Sequence, residues 1–380
     1  MLSSLPKHTL ENINNTQQLR TELQSVGLRL MQTDIGVKSR RGGAGPSDHK
    51  AVTIDGVTIM VPVHTNTAWN SPFLVETIDG KSTLKRHALP ITNISFPETP
   101  KFYSLKTAEG VPYSHIATLH SKDVLATTVL QTCIRYESRK KTCQFCSIGQ
   151  SLAAGRTIAH KSPEQLAEVA VAAVKLDGVK HMILTTGTPA TKDRGAKILC
   201  DSAAAIKAAM VAEGLTLPIQ VQCEPPDTDN WFEIMQAAGV DSLGMHLEAV
   251  TPEVRANIMP GKASVTVERY MESFKAAVKV FGRAQVNTYI LAGLGDTAED
   301  ILEMSAKLID IGVYPFVVPF VPISGTPLED HPAPSREFME SILKPLGAML
   351  VEGGIRSADI KAGCGKCGAC STLSSYEVTA

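Results

Sequence analysis

Cys133, Cys143 and Cys146 read as Thr132-Cys, nine further residues, then Cys-Gln-Phe-Cys-Ser. Three soft sulfur ligands, the last two separated by two residues, suit an iron–sulfur cluster or zinc. Structural zinc wants four closed ligands, and the next histidine, His160, stands fourteen residues beyond Cys146. The triplet therefore reads as the ligand set of a four-iron cluster that leaves one iron open to something other than protein. Phe145, just before the last cysteine, offers an aromatic face to a flat heterocycle. A second triplet, Cys364, Cys367 and Cys370, has two-residue gaps in Gly363-Cys-Gly-Lys-Cys-Gly-Ala-Cys-Ser. These are the first three cysteines of a ferredoxin-type loop, with Ser374 where the fourth would fall. Three readings of this tail stay open: an auxiliary iron–sulfur cluster, a structural zinc borrowing Cys223 or a histidine, and a redox-active tail. Cys200 reads as a small apolar residue on a helix.

Other polar groups stand at the ends of strand-like runs. Thr186, Gly187 and Thr188 follow Met182-Ile-Leu-Thr and would expose carbonyls and hydroxyls to a ligand's ammonium group. In Leu243-Gly-Met-His-Leu-Glu, a period of two sends His246 and Glu248 to one face, with Glu248 at the strand's end. A carboxylate there can accept both hydroxyls of a ribose, and a buried polar core pair is the plainer alternative. The turn Ala292-Gly-Leu-Gly-Asp-Thr lets backbone approach a ligand, with Asp296 or Thr297 capping the next helix. Phe320-Val-Pro-Ile-Ser-Gly-Thr-Pro-Leu forms a stiff apolar edge. Arg40 and Arg41, in a glycine-rich loop, read as a flexible basic segment that could also wrap an anion.

Two textures must position these groups. Residues 1–122 read as β-rich, with Asp55-Gly56 and Asp79-Gly80 each predicting a type I′ hairpin. From 123 onward strand and helix patterns alternate. Strands are expected at 124–132, 180–186, 217–223, 241–247, 284–291 and 315–321, and Ser162-Pro-Glu-Gln opens a capped helix over 164–176. Six β/α units imply a parallel sheet with right-handed crossovers, too few for an eight-stranded barrel. The expected fold is α/β: a partial parallel (β/α)6 TIM-like barrel over 123–330. A β-rich N-terminal cap precedes it and a C-terminal helix and cysteine-rich tail, 331–380, follows. Chemistry in such sheets collects where the strands end.

Composition narrows the rest. With 37 Lys+Arg against 38 Asp+Glu, the net charge of −1 gives no general attraction to nucleic acid. The first residues lack a sustained apolar stretch, so no secretory signal is expected. The most apolar run, Tyr314 to Ile323, holds three prolines and is too short to span a bilayer. Cysteines in tight triplets point to metal in a soluble cytoplasmic protein, not to disulfides.

In this order the pieces resemble a radical S-adenosylmethionine (SAM) enzyme, in the neighbourhood of biotin and lipoyl synthases. His246-Leu-Glu-Ala-Val resembles the ribose-binding strand of lipoyl synthases, and Gly293-Leu-Gly-Asp-Thr their fifth-strand turn. Pro322-Ile-Ser-Gly-Thr-Pro-Leu resembles the sixth strand of biotin synthases. The likeness covers 123–330, and the whole chain most resembles the radical SAM subfamily found with nitrilase gene clusters. The resemblance makes Cys133, Cys143 and Cys146 the [4Fe-4S] ligands, with Phe145 against adenine. It places Thr186, Gly187 and Thr188 at the methionine amine, and Glu248, beside His246, at the ribose. It implies reductive cleavage of SAM to a 5′-deoxyadenosyl radical acting on a small-molecule substrate, fed by a donor such as flavodoxin or ferredoxin. Sulfur insertion at the expense of a tail cluster, or a non-catalytic iron–sulfur or zinc scaffold, are the alternatives. Two departures stand out. The usual first gap of three residues is nine here, as in the Elongator catalytic subunit family, and the family's Gly-Gly-Glu loop has become Thr-Gly-Thr, without its acid.

Overall fold

The computed structural model describes residues 16–31, 48–137 and 140–377, so Arg40 and Arg41 lie outside the described residues. Strand β1 (Arg29–Leu30) follows the helix Thr16–Val26. The strands β2 (His49–Ile54) and β3 (Val57–Pro62) pair antiparallel across Asp55-Gly56, whose φ angles of 47° and 74° are those of the expected type I′ turn. The same geometry at Asp79-Gly80, 50° and 75°, joins β4 (Phe73–Ile78) to β5 (Lys81–Arg86). With β6 (Leu89–Ile94) these make a four-stranded sheet, β1-β4-β5-β6. Leu23, Val52, Ile59, Phe73, Val75 and Leu84 give this cap a hydrophobic core of its own.

The second sheet carries the six expected parallel strands. They are β8 (Val124–Thr128), β9 (His181–Thr185), β10 (Ile219–Gln222), β11 (Ser242–Gly244), β12 (Val286–Ala292) and β13 (Val313–Pro319). Short β7 (Thr118–His120) pairs antiparallel with β8, giving the order β13-β12-β11-β10-β9-β8-β7, a curled half-barrel. Three residues carry too little periodicity for β7 to be read from sequence. The strands are mostly shorter than expected. The clearest case is β11, which stops at Gly244; the chain meets β12 again only at Glu248, which has a left-handed φ of 67° and bridges to Ile290. Crossover helices begin where the sequence predicts. Ser162 and Gln165 form a reciprocal capping box on Pro163–Asp177. Thr297, not Asp296, caps Ala298–Asp310. Asp296 instead accepts the backbone N–H groups of Val250 and Thr251, pinning the loop after β11. Cys200 is buried on the helix Ala196–Ala212, as its helix-face reading expected.

After the helix Arg336–Glu352 the chain turns and enters the half-barrel from the end where the strands begin. Polar side chains at those strand starts receive it. Ser242 Oγ donates to Ala362 O at 2.7 Å, Gly363 N–H donates to His181 Nδ1 at 3.2 Å, and Lys361 N–H donates to Gln285 Oε1 at 3.0 Å. Gly363 has φ of 104°, and a Cβ on it would fall 2.0 Å from the Gln220 carboxamide, so only glycine fits. The cap holds the tail from the other side: Ala369 O accepts both Met60 N–H at 2.7 Å and Gln24 Nε2–H at 2.9 Å. Among the described residues no helix is long and apolar enough to cross a membrane.

Lys161, 1% exposed, ties off the end of β8 by donating to Thr128 O at 2.7 Å and Ile158 O at 3.1 Å. Burial pushes its pKa down to about 7. Between pH 7 and 10 the unfolded chain therefore binds a proton that the folded chain does not, and stability rises with pH across that window. Denaturation of anaerobic protein should show this rise, on the order of a few kcal/mol, and Lys161→Met should flatten it. An unchanged pH slope in the variant would show that Lys161 remains charged when folded.

Candidate functional site

Cys133 stands just past β8, and its loop is closed by backbone bonds: Ile134 N–H donates to Thr188 O and Cys146 N–H to Cys143 O. Gly187 lets this loop approach β9, since a Cβ there would sit 2.0 Å from Thr132 O. The nine-residue gap has a structural use. It forms the short helix Ile134–Glu137, from which Arg135 reaches inward to grip Glu224 through both oxygens, at 2.7 and 2.6 Å. Arg135 also donates to Gly261 O, and Gln144 is held by Asn257 O and Ile258 O.

Glu224 supplies a carboxylate beside the Thr186-Gly187-Thr188 loop. It lies two residues past β10, and Thr188 Oγ donates to it at 2.9 Å. Burial would raise its pKa, but the Arg135 hydrogen bonds and the Lys262 charge outweigh that and hold it ionised. Lys262 is 2.8 Å from Glu248. Burial would lower its pKa, yet Glu248 and its other anionic neighbours keep it above the ordinary lysine value. Thr186, Gly187 and Thr188 all line the cavity, but the Thr186 hydroxyl bonds to Gly187 O and that of Thr188 to Glu224. Arg135, Glu224 and Lys262 were not read from the sequence. A charged residue after a strand's last apolar position, as in Gln222-Cys-Glu224-Pro, was the available signal.

His246 and Glu248 both line the same cavity, although strand alternation is not what brings them there. Both lie beyond β11, and Glu248 is aimed by its left-handed backbone while its N–H donates to Tyr289 O. Burial, then Lys262, pushes His246 down to about 3, so the imidazole is neutral. Its Nδ1 accepts Tyr289 N–H at 3.1 Å, which leaves the proton on Nε2. Phe145 packs beside Phe320, Ile258 and Leu294 at the mouth, and Phe320, Val321 and Ile323 form the apolar edge expected there.

The cavity measures 370 Å3 and runs down the half-barrel. Cys133, Cys143 and Cys146 line it near the strand ends, while Cys364 and Cys370 line it from the docked tail. All three loop cysteines and two of the three tail cysteines thus face one chamber, and Gln24, His49 and Met60 of the cap complete its wall. The donor set fits iron–sulfur chemistry. Burial pushes the Cys146 thiol up to about 12 and that of Cys143 well above its ordinary value, as it does for Cys367 in the tail. Such sulfurs ionise only against a cationic core. Among the described residues no three His, Cys, Asp or Glu side chains converge on one point as a single ion requires.

Residues 139–308 match the radical SAM superfamily. The bacteriochlorophyllide c C-7(1)-hydroxylase of Chlorobaculum limnaeum is 28% identical over 214 residues, 52% of this chain and 53% of that protein. The lipoyl synthase of Geobacillus kaustophilus (strain HTA426) is 28% identical over 182 residues, 45% of this chain and 55% of the other. Among solved structures, a radical SAM methyltransferase from Sphaerobacter thermophilus aligns with a TM-score of 0.47 at 14% identity, over 75% of this chain and 76% of that one. The chain spans about half the length of the curated relatives it matches.

Proposed function

From the premise that this chain carries a radical SAM domain over residues 139–308, we propose that it is an enzyme acting on a small metabolite held in its chamber. The observation that carries the proposal is the meeting of Cys133, Cys143, Cys146, Phe145, Gly187 and Glu248 on one cavity at the ends of parallel strands. A [4Fe-4S] cluster on the three cysteines would supply reductive cleavage of SAM and so a 5′-deoxyadenosyl radical. The chain's own residues bind and orient. Glu248 takes the ribose hydroxyls, Phe145 and the Phe320 edge hold the adenine, and Thr186, Gly187 and Thr188, backed by Glu224, meet the methionine amine. Neutral His246 offers its Nε2–H to the ligand.

The tail cysteines hold an auxiliary cluster in this reading, which their ferredoxin-like two-residue gaps support. A low-potential donor such as flavodoxin or ferredoxin supplies the electron. Location in the cytoplasm, where such donors work, belongs to the same proposal, as does membership of the nitrilase-gene-cluster subfamily.

Glu248 gives the direct test. Reduced, anaerobically reconstituted protein should convert SAM to 5′-deoxyadenosine and methionine. Glu248→Gln should weaken SAM binding by the value of a charge-assisted hydrogen bond, about 1.5–3 kcal/mol or at least tenfold, with iron content unchanged. Because Gln leaves Lys262 without its 2.8 Å partner, the double variant Glu248→Gln/Lys262→Met separates stability from binding. It should recover stability and not SAM affinity. Undiminished SAM affinity in Glu248→Gln would return the Glu248–Lys262 pair to a purely structural role.

A further inference from the structure

We propose that the chamber holds its substrate one layer below the SAM site, in a ring that takes an uncharged group with a hydrogen-bond donor beside an acceptor: a carboxamide, lactam or ureide. This rests on the small-metabolite reading above and adds the metabolite's chemical class. Each parallel strand turns one side chain of this ring onto the chamber. They are Thr128, Thr185, Gln222, Tyr289 and Val318 from β8, β9, β10, β12 and β13, and His246 just past β11. Two residues farther along the last five of these strands stand Gly187, Glu224, Glu248, Leu291 and Phe320, which also line the chamber. By strand rise the two rings lie roughly 6–7 Å apart, one layer of side chains.

The rings differ in charge. Among the described residues, the Lys, Arg, Asp and Glu side chains on the chamber wall are Arg135, Glu224, Glu248 and Lys262. They belong to the upper ring and its rim, and they are paired, Arg135 with Glu224 at 2.6 Å and Lys262 with Glu248 at 2.8 Å. The lower ring is neutral. Its two threonines bond to one another at 2.9 Å, the Tyr289 hydroxyl bonds to Cys370, and the His246 imidazole is uncharged. A carboxylate, phosphate or ammonium placed there would be desolvated with no counter-charge in the ring.

Two adjacent members define what the ring accepts. Gln222 uses both Nε2 hydrogens, on Gln220 Oε1 at 2.8 Å and on Cys364 Sγ at 3.1 Å, so what it has left for the chamber is Oε1, an acceptor. His246 accepts Tyr289 N–H at Nδ1, so what it has left is Nε2–H, a donor. Gly244 lets the two approach each other. A Cβ there would lie 2.9 Å from Gln222 Cγ, 3.0 Å from His246 Cε1 and 3.2 Å from Asn287 Oδ1. Asn287 is fully buried and neither polar atom of its carboxamide has a hydrogen-bond partner, so the interior beside the pair is built polar as well. An acceptor next to a donor matches the N–H and C=O edge of an amide. A carboxylate would set its own acceptor against Gln222 Oε1, and an amidinium its donor against His246 Nε2–H.

Benzamide, benzoate and benzamidinium share one shape and differ only in this edge. Titrated by calorimetry into anaerobic holoprotein, with and without SAM, benzamide should bind at least about tenfold more tightly than either ion. His246→Leu should weaken benzamide binding by roughly tenfold and leave SAM affinity unchanged. Gln222→Glu should reverse the order and favour benzamidinium, a gain that misfolding cannot produce. Benzoate or benzamidinium binding the unaltered protein as tightly as benzamide, or no binding of benzamide, overturns the uncharged class. A His246→Leu variant that loses SAM affinity together with benzamide affinity assigns His246 to the cosubstrate and overturns the donor–acceptor pair. Failure of the enzyme reading looks different: SAM itself does not bind, while the preference among the three probes is still measured in its absence.

Discussion

Replacing Cys133, Cys143 and Cys146 by Ala should remove about four of about eight irons and abolish formation of 5′-deoxyadenosine. Both effects follow from one arrangement, three sulfurs lining the mouth of a chamber in which burial keeps Cys143 and Cys146 protonated unless a cationic core is present. The fold should survive the change. The loop is held by Arg135 to Glu224 and Gly261, by Gln144 to Asn257 and Ile258, and by Ile134 to Thr188, none of which uses a sulfur. Iron analysis and chromatographic detection of the nucleoside measure the outcome. A triple variant that still makes 5′-deoxyadenosine would remove these cysteines from the reaction altogether.

The reverse experiment, Cys364, Cys367 and Cys370 to Ala, should also halve the iron but leave SAM cleavage running. The tail lies at the strand starts, across the chamber from Glu248 and Phe145, so radical formation does not depend on it. Chemistry on the substrate should stop, leaving 5′-deoxyadenosine formed without product. Sulfide release during a single turnover of the unaltered protein would mark the centre as a sulfur source. One zinc in place of four irons, with overall destabilisation of the variant, would identify a structural site and sink the auxiliary cluster.

The periodic parts of this molecule were legible because each signal was local. The two Asp-Gly hairpins, the Ser162 capping box and the six β/α units each depend on residues within a few positions of one another. Cysteine spacing was legible for the same reason. What escaped were contacts across long stretches of chain. Arg135 meets Glu224 across 89 residues, and Gln222 meets Cys364 across 142. Lys262 opens a one-turn 3-10 helix, Lys262–Ser264, too short for any periodicity to announce its burial. The alternation argument brought His246 and Glu248 to one cavity by the wrong route, because it assumed a strand running to 247 where β11 ends at Gly244. Interior polar residues such as Gln220 and Gln222 did carry a signal. Gln-Val-Gln in a buried parallel strand demands a polar partner, and that partner is the tail.

The clasp at Ala369, where Gln24 and Met60 meet the tail, sets an order of assembly. Its partners are separated by 345 residues in the Gln24 bond and by 351 where Thr21 meets Thr372. During synthesis the cap emerges before every barrel strand and the tail after all of them, so the cap must wait, folded on its own core, while the half-barrel forms beside it. Until the tail arrives the half-barrel is open at its base as well as its mouth. Docking of Gly363–Tyr376 is then a late closing step, and it seals the base of the half-barrel.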